Sequence, residues 1–244
     1  MKYDDIKKLH QKKYRDEFGH FLVEGEHLVQ ELQKAATTDS RWQHCELYVT
    51  DAYAEWETPF TTHLISERQM AHIADTKTPQ GIIALAPIVP TPAVGDKARA
   101  IYLHEIQDPG NLGTILRTLA WFGHFNCLLS PGSVDPHNPK VVRASMGAIF
   151  HTPMELDVPL NELASRYPKI ACLDMRGETI SSDNFQHFDC YLFGNEARGI
   201  PRAQLDQLQA QAFSIEGSGV IESLNLASAV NICVYELSRN SVPA

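Results

Sequence analysis

The chain has 244 residues, of which 43% are hydrophobic and 21% charged. At roughly 150 residues per domain this is material for one or two domains with a sizeable core, and it excludes a disordered chain. With 21 basic against 30 acidic residues the net charge is −9, which taken alone argues against a phosphate-rich partner.

The charge is unevenly placed. Lys2, Lys7, Lys8, Lys12, Lys13 and Arg15 face only two aspartates in the first 15 residues, a local +4 that leaves −13 for the rest. The same opening stretch is polar, without the apolar run of a leader, and no segment approaches the roughly 20 apolar residues that cross a bilayer. The cytoplasm is the expected location. Five cysteines without a CxxC pair, four of them in apolar runs, point to buried free thiols in preference to disulfides or zinc.

In chain order, apolar runs predict strands at 21–23, 45–50, 63–65 and 81–86, with a helix over 26–35 carrying Leu28, Val29 and Leu32 at helical spacing. Three prolines and a glycine within 86–98 then favour an extended connection. This sets expected domains at 1–88 and 99–244, with a linker at about 89–98. Beyond it, strands are predicted at 100–106, 125–129, 170–175, 191–193 and 212–215. Helices are predicted at 112–122, 139–146, 160–166, 201–211 and 223–238. Continuous apolar strands alternating with helices imply an α/β fold with a mainly parallel sheet covered on both faces. Ligands of such sheets bind beyond the strands' C-terminal ends.

Three polar segments fall at such ends. In Gln107-Asp108-Pro109-Gly110-Asn111-Leu112-Gly113-Thr114-Ile115-Leu116-Arg117 a turn leads into a helix starting near Asn111. Its open N–H groups could hold an anion, with Arg117 reaching back over the mouth; the plainer alternative is a capped helix and a solvated arginine. In Phe193-Gly194-Asn195-Glu196-Ala197-Arg198-Gly199-Ile200-Pro201, Gly194 permits a close approach to the backbone, by a ligand or within a β-to-α turn. In Ile215-Glu216-Gly217-Ser218-Gly219-Val220-Ile221-Glu222-Ser223-Leu224-Asn225 a Gly-Ser-Gly loop opens a long helix whose Leu224, Ala227, Val230, Val234 and Leu237 form a core stripe. None carries a GxGxxG fingerprint, and the eleven histidines show no metal-ligand spacing.

In this order and spacing the three segments resemble the signature motifs of the SpoU/TrmH-type RNA ribose 2′-O-methyltransferases of the SPOUT superfamily. Ser133–Lys140 followed by Val142–Ala148 is similar to the extended first motif. The likeness runs from Ile101 to about Leu237. More loosely, Phe21-Leu22-Val23-Glu24-Gly25 and Pro79-Gln80-Gly81-Ile82 resemble the family's small α/β RNA substrate-binding domain.

The resemblance implies a C-terminal trefoil knot that holds S-adenosylmethionine through backbone groups at Gly194, Ile215 and Leu224. Leu192, Phe193, Asn195 and Gly219 are the adjoining cofactor-binding positions. It puts the catalytic group at Arg117, Asn111, Glu196, Ser223 and Asn225, with no metal. Arg117 is then a base or, since arginine keeps its proton in almost any site, a group that stabilises the developing alkoxide or grips a phosphate. Lys7, Lys8, Lys12, Lys13, Arg15 and Arg143 are the expected RNA contacts. The partners implied are rRNA or tRNA, rRNA being favoured by the separate first domain, and a second copy of the chain in a homodimer. The alternative is a non-catalytic RNA-binding module that retains the SPOUT fold, against which the intact polar residues speak. Glu216 departs from the apolar residue or proline common there in the family.

Overall fold

The computed structural model describes residues 1–89 and 98–239, so most of the expected linker lies outside the described residues. They form two compact units. The first comprises residues 1–89 with Asp135–His151; the second comprises 98–134 and 152–239. The sequence placed all of 99–244 in one domain. The difference arises because Val141 and Val142, on a short helix, bury their side chains within the first unit.

The first unit opens with helices α1 (Tyr3–Ile6) and α2 (Lys12–Phe18), which no apolar periodicity announced. Strand β1 (His20–Glu24) and helix α3 (Glu26–Thr38) follow, then β2 (Glu46–Val49), β3 (Thr61–Leu64), helix α4 (Glu67–Ile73) and β4 (Ile82–Pro87). The strand order is β1-β4-β2-β3. Here the expectation of a mainly parallel sheet fails: β4 is antiparallel to both its neighbours, and only β2 and β3 are parallel. Ile82 to Ala86 are all buried, and such a run looks the same whichever way the strand points.

The second unit carries the expected architecture. Strands β5 (Arg99–Leu103), β6 (Phe125–Leu129), β7 (Met154–Glu155), β8 (Ile170–Thr179), β9 (Cys190–Phe193) and β10 (Gln211–Ser214) form one sheet in the order β10-β8-β9-β5-β6-β7. Every neighbouring pair is parallel. Helix α5 (Pro109–Phe122) follows β5; α6 (Pro139–Ser145) belongs to the first unit; α7 (Leu163–Arg166), α8 (Arg202–Leu208) and α9 (Leu226–Ser238) complete the set. One face is an apolar layer of Tyr102, Leu128, Leu163, Cys172 and Leu192. Parallel strands aligned in this way bring the ends of β5, β8, β9 and β10 to one edge, where the three motifs lie.

All five cysteines are free and buried, as expected, and burial pushes the Cys45 and Cys127 thiols up to about 12. Among the described residues no helix is long and apolar enough to cross a membrane.

The β8–β10 pairing contains a discontinuity. Ala212 pairs with Cys172, but Phe213 pairs with Glu178, so five residues of β8 loop out where β10 advances by one. At the return, a Cβ on Gly177 would lie 2.3 Å from the backbone of Ala212 and Phe213. The two chains cross there backbone to backbone.

Candidate active site

The first motif is built around a helix start. Asp108 is the N-cap of α5, its carboxylate accepting the Asn111 N–H at 2.7 Å, with Pro109 at the first helical position. The helix therefore begins two residues before Asn111. Its first N–H groups are also less open than expected, because Pro109 has none and the Asp108 carboxylate takes that of Asn111, while Glu196 of the second motif occupies the turn just before the helix. The Glu196 carboxylate accepts the backbone N–H of Gln107 and Asp108, each at 3.4 Å, and the Asn111 side-chain N–H at 3.2 Å.

Asn111 continues the chain. Its Oδ1 accepts from Asn225 Nδ2 at 2.9 Å, and Asn225 Oδ1 accepts the Ser228 N–H at 3.2 Å. Asn225 is thus the N-cap of α9 rather than a first-turn residue, and Ser223 and Leu224 precede the helix. Glu196, Asn111 and Asn225, one from each motif, form a continuous polar line. Because both ends of the Asn111 amide are committed, its orientation is fixed.

Arg117 is exposed on α5, and among the described residues it has no hydrogen bond or ion pair. Ser223 is exposed and likewise unpartnered. The structure thus joins Asn111, Glu196 and Asn225 directly and leaves Arg117 and Ser223 available to a ligand.

The second-motif loop is braced internally. Asn195, nearly buried, donates to the Glu105 carbonyl at 2.7 Å and accepts the N–H groups of Ala197 and Arg198. Arg198 pairs with the Glu105 carboxylate at 2.6 Å. A Cβ on Gly194 would meet the Gly199 backbone at 2.6 Å, so this glycine is already required by the loop's own packing. Leu192 and Phe193 have buried side chains and offer a ligand only backbone groups. Ile215 is half-buried; Gly219, at φ +75°, and Leu224 are exposed. Residues 215–224 make no hydrogen bond to any described residue, so ten successive backbone units stand open.

Asp108, Gln107 and Glu105 were not singled out from sequence. The Asp-Pro pair before a helix signalled the cap at Asp108, while the roles of Gln107 and Glu105 depend on a loop some 90 residues away. Burial lowers the pKa of His104, at the end of β5, and its Nδ1 is buried without a partner among the described residues.

The basic residues divide. Lys7, Lys8, Lys12 and Lys13 are exposed, Lys8 pairing with Asp5 at 2.8 Å. Arg15 does not belong with them: it is 2% exposed, donating to Asp135 through Nε and Nη2 and to the Leu9 carbonyl through Nη1. Arg143 is also engaged, at 2.7 Å from Asp75 and 4.0 Å from Glu24. Arg15, buried with its donors committed, is not free to take a phosphate, whereas Arg143 remains partly exposed. Their charge gave no sign of this, since both partners are remote in sequence.

The Asp135 pair predicts an acid effect. Burial alone would raise the Asp135 pKa, but His137 and Arg15 outweigh it and hold the carboxyl well below the usual range. A depressed carboxylate contributes stability above the ordinary value near ~4, which is lost as pH falls toward the folded value. Arg15→Met removes the cationic guanidinium and leaves that buried carboxylate with His137 alone. It is expected to destabilise the first unit by about 3–5 kcal/mol in denaturant titration at neutral pH, with a smaller penalty in acid. An unchanged midpoint would show that the pair contributes nothing.

Two family models match the chain. The SpoU rRNA methylase family model covers residues 98–235, more than half of the sequence. The chain belongs to the SpoU rRNA methylase family. The model of the MRM3-like substrate binding domain covers residues 3–84. A 23S rRNA (guanosine(2553)-2′-O)-methyltransferase RlmP of Bacillus subtilis is 32% identical, over 97% of this chain and 96% of that one. An AdoMet-bound rRNA methyltransferase from Sinorhizobium meliloti superposes with a TM-score of 0.83 at 25% identity, covering 99% of this chain and 95% of that one. A TrmH-family structure from Porphyromonas gingivalis gives 0.82 at 29% identity, covering 97% and 96%.

Proposed function

We propose that this SpoU-family protein methylates a ribose 2′-hydroxyl of rRNA in the cytoplasm, using S-adenosylmethionine. The observation that carries the reading is the polar line Glu196–Asn111–Asn225, which joins all three motifs, together with Arg117 on the helix of Asn111, which has no partner among the described residues.

The residues suit the cofactor. Among the described residues no cluster of His, Cys, Asp or Glu could hold a metal, and transfer from a sulfonium needs none. Residues 215–224 offer backbone groups that have no partner among the described residues, together with exposed apolar Val220, Ile221 and Leu224, a surface matched to an adenosine and a methionine chain. Gly194, Ile215, Gly219 and Leu224 would hold it, with backbone from Leu192, Phe193 and Asn195. The family's trefoil threading belongs to this reading, β10 being the strand that crosses β8. When bound, S-adenosylmethionine supplies an electrophilic methyl group.

The chain's own residues position the nucleophile. Arg117 offers a charged donor to the 2′-oxygen as charge builds on it, or to the adjoining phosphate. Glu196 holds Asn111, Asn111 holds Asn225, and Ser223 lies free at the same mouth. The geometry aligns the groups rather than supplying a strong base. Calorimetry with S-adenosylmethionine tests the reading: one-site binding is expected, and no heat would favour a non-catalytic RNA-binding module.

The first unit is the proposed RNA-docking body, with Lys7, Lys8, Lys12 and Lys13 as its phosphate-binding side chains. Changing all four to glutamine is expected to weaken RNA binding and flatten its salt dependence, by somewhat less than one unit of slope for each phosphate no longer neutralised. If affinity and slope are both unchanged, the lysines are only a solvated surface. On the second unit, Trp121 on α5 and Ile232 and Tyr235 on α9 are exposed apolar side chains, and we assign them to the interface of a homodimer. A light-scattering mass of one chain would overturn that assignment.

A further inference from the structure

We propose that Asn231 is a positioning residue for methyl transfer, acting through Thr118 to set the register of α5 against α9. This rests on the reading that Asn111 and Arg117 line the reacting centre. The two helices that carry the proposed machinery pack against each other, and besides their polar contacts Phe122 meets Tyr235 edge-on with ring centroids 6.3 Å apart. Apolar contact is non-directional and opposes a slide of one helix along the other only weakly.

Two polar contacts add direction. One is the bond from Asn225 to Asn111, at the helix starts. The second lies about two turns further on, where Thr118 Oγ1 stands 2.5 Å from Asn231 Oδ1. Thr118 also lies 3.2 Å from the Thr114 carbonyl, but a hydroxyl has one proton, and the nearer acceptor is Asn231. A pair of bonds two turns apart fixes both translation and rotation of α5, where one bond would act as a pivot. Arg117 is adjacent to Thr118, and Asn111 lies seven residues before it. A shift at residue 118 therefore moves the arginine directly. Buried or half-buried polar pairs elsewhere set helix register in the same way.

The test compares Asn231→Leu, Thr118→Val, the double variant and Asn231→Asp in methyl transfer at saturating S-adenosylmethionine and RNA, well below each melting temperature. Each of the first two is expected to lower kcat about tenfold, since small misplacements of reacting groups are costly in rate. KM for S-adenosylmethionine should stay nearly constant. The double variant should be no slower than either single change, because both remove the same bond. Asn231→Asp keeps the oxygen acceptor and should restore kcat to nearly the parent value. Wild-type kcat in Asn231→Leu overturns the proposal, as do losses that multiply in the double variant or an Asn231→Asp as slow as Asn231→Leu. Arg117→Ala separates the two levels. If that variant is inactive while Asn231→Leu is fully active, only the positioning role fails; if Arg117→Ala is fully active, the site assignment itself is wrong.

Discussion

Replacing Arg117 with alanine is expected to lower methyl transfer by about 10²–10³-fold, the usual scale for removing one donor aimed at developing charge. Binding of S-adenosylmethionine, followed by calorimetry, should be nearly unchanged, because the proposed cofactor contacts come from the second and third motifs. The expectation follows from the arginine's isolation. Glu196, Asn111 and Asn225 satisfy one another, so each contributes mainly to holding the site together. Arg117 has no such partner among the described residues, so its guanidinium is free to act on the substrate. Arg117→Lys keeps the charge but loses the planar fork, and should recover only part of the rate. Full activity in Arg117→Ala would remove the residue from the mechanism.

The second large effect concerns Gly177. Alanine there would place a Cβ 2.3 Å from the Ala212 carbonyl carbon and the Phe213 nitrogen, and 2.4 Å from the Phe213 Cα. These are backbone atoms and cannot rotate aside. Nor can β10 retreat, because Phe213 is fully buried among Phe185 and Phe188, at ring separations of 5.0 and 5.2 Å. Gly177→Ala is therefore expected to cost about 3 kcal/mol or more, in the range reserved for overpacked cores. It should also abolish S-adenosylmethionine binding, since Ile215 and the open loop continue directly from β10. Gly19→Ala is the comparison: its φ of +65° and ψ of 29° are left-handed and nothing lies within 4 Å, so only the left-handed strain of about 1 kcal/mol applies. Equal losses in the two variants would refute the crossing as a constraint.

The second unit was legible because its signals are local. An apolar run such as Ile101–Leu103, followed by a turn and a helical stripe, gives strand, edge and helix together. The three motifs, taken as a set, already group Asn111, Glu196 and Asn225 at one site. What local signals could not carry was partnership. Arg15 and Lys13 look alike in sequence, yet one is buried against Asp135 and the other is exposed. Gly194 reads equally as a place for a ligand or as part of a turn, and only the Gly199 backbone shows that its own loop needs the space. Gly177 stands in an ordinary strand, and its necessity depends on a chain crossing 35 residues away. The direction of β4 was hidden for the same reason, since a buried strand carries no record of its neighbour's direction.

The negative charge also resolves. Arg15 and Arg143 are paired with acidic neighbours within the first unit, whereas Lys7, Lys8, Lys12, Lys13 and Arg117 are exposed. The net charge is thus compatible with a nucleic-acid substrate that is met locally.

The most direct test supplies S-adenosylmethionine labelled in its methyl group, with rRNA, and hydrolyses the product in alkali. Alkaline cleavage of RNA requires a free 2′-hydroxyl, so a ribose 2′-O-methyl group blocks the bond beside it. Label recovered in alkali-resistant dinucleotides is the predicted result, lost in Arg117→Ala. Label recovered in mononucleotides, as from a methylated base, would contradict ribose methylation, and no incorporation would contradict rRNA as the substrate.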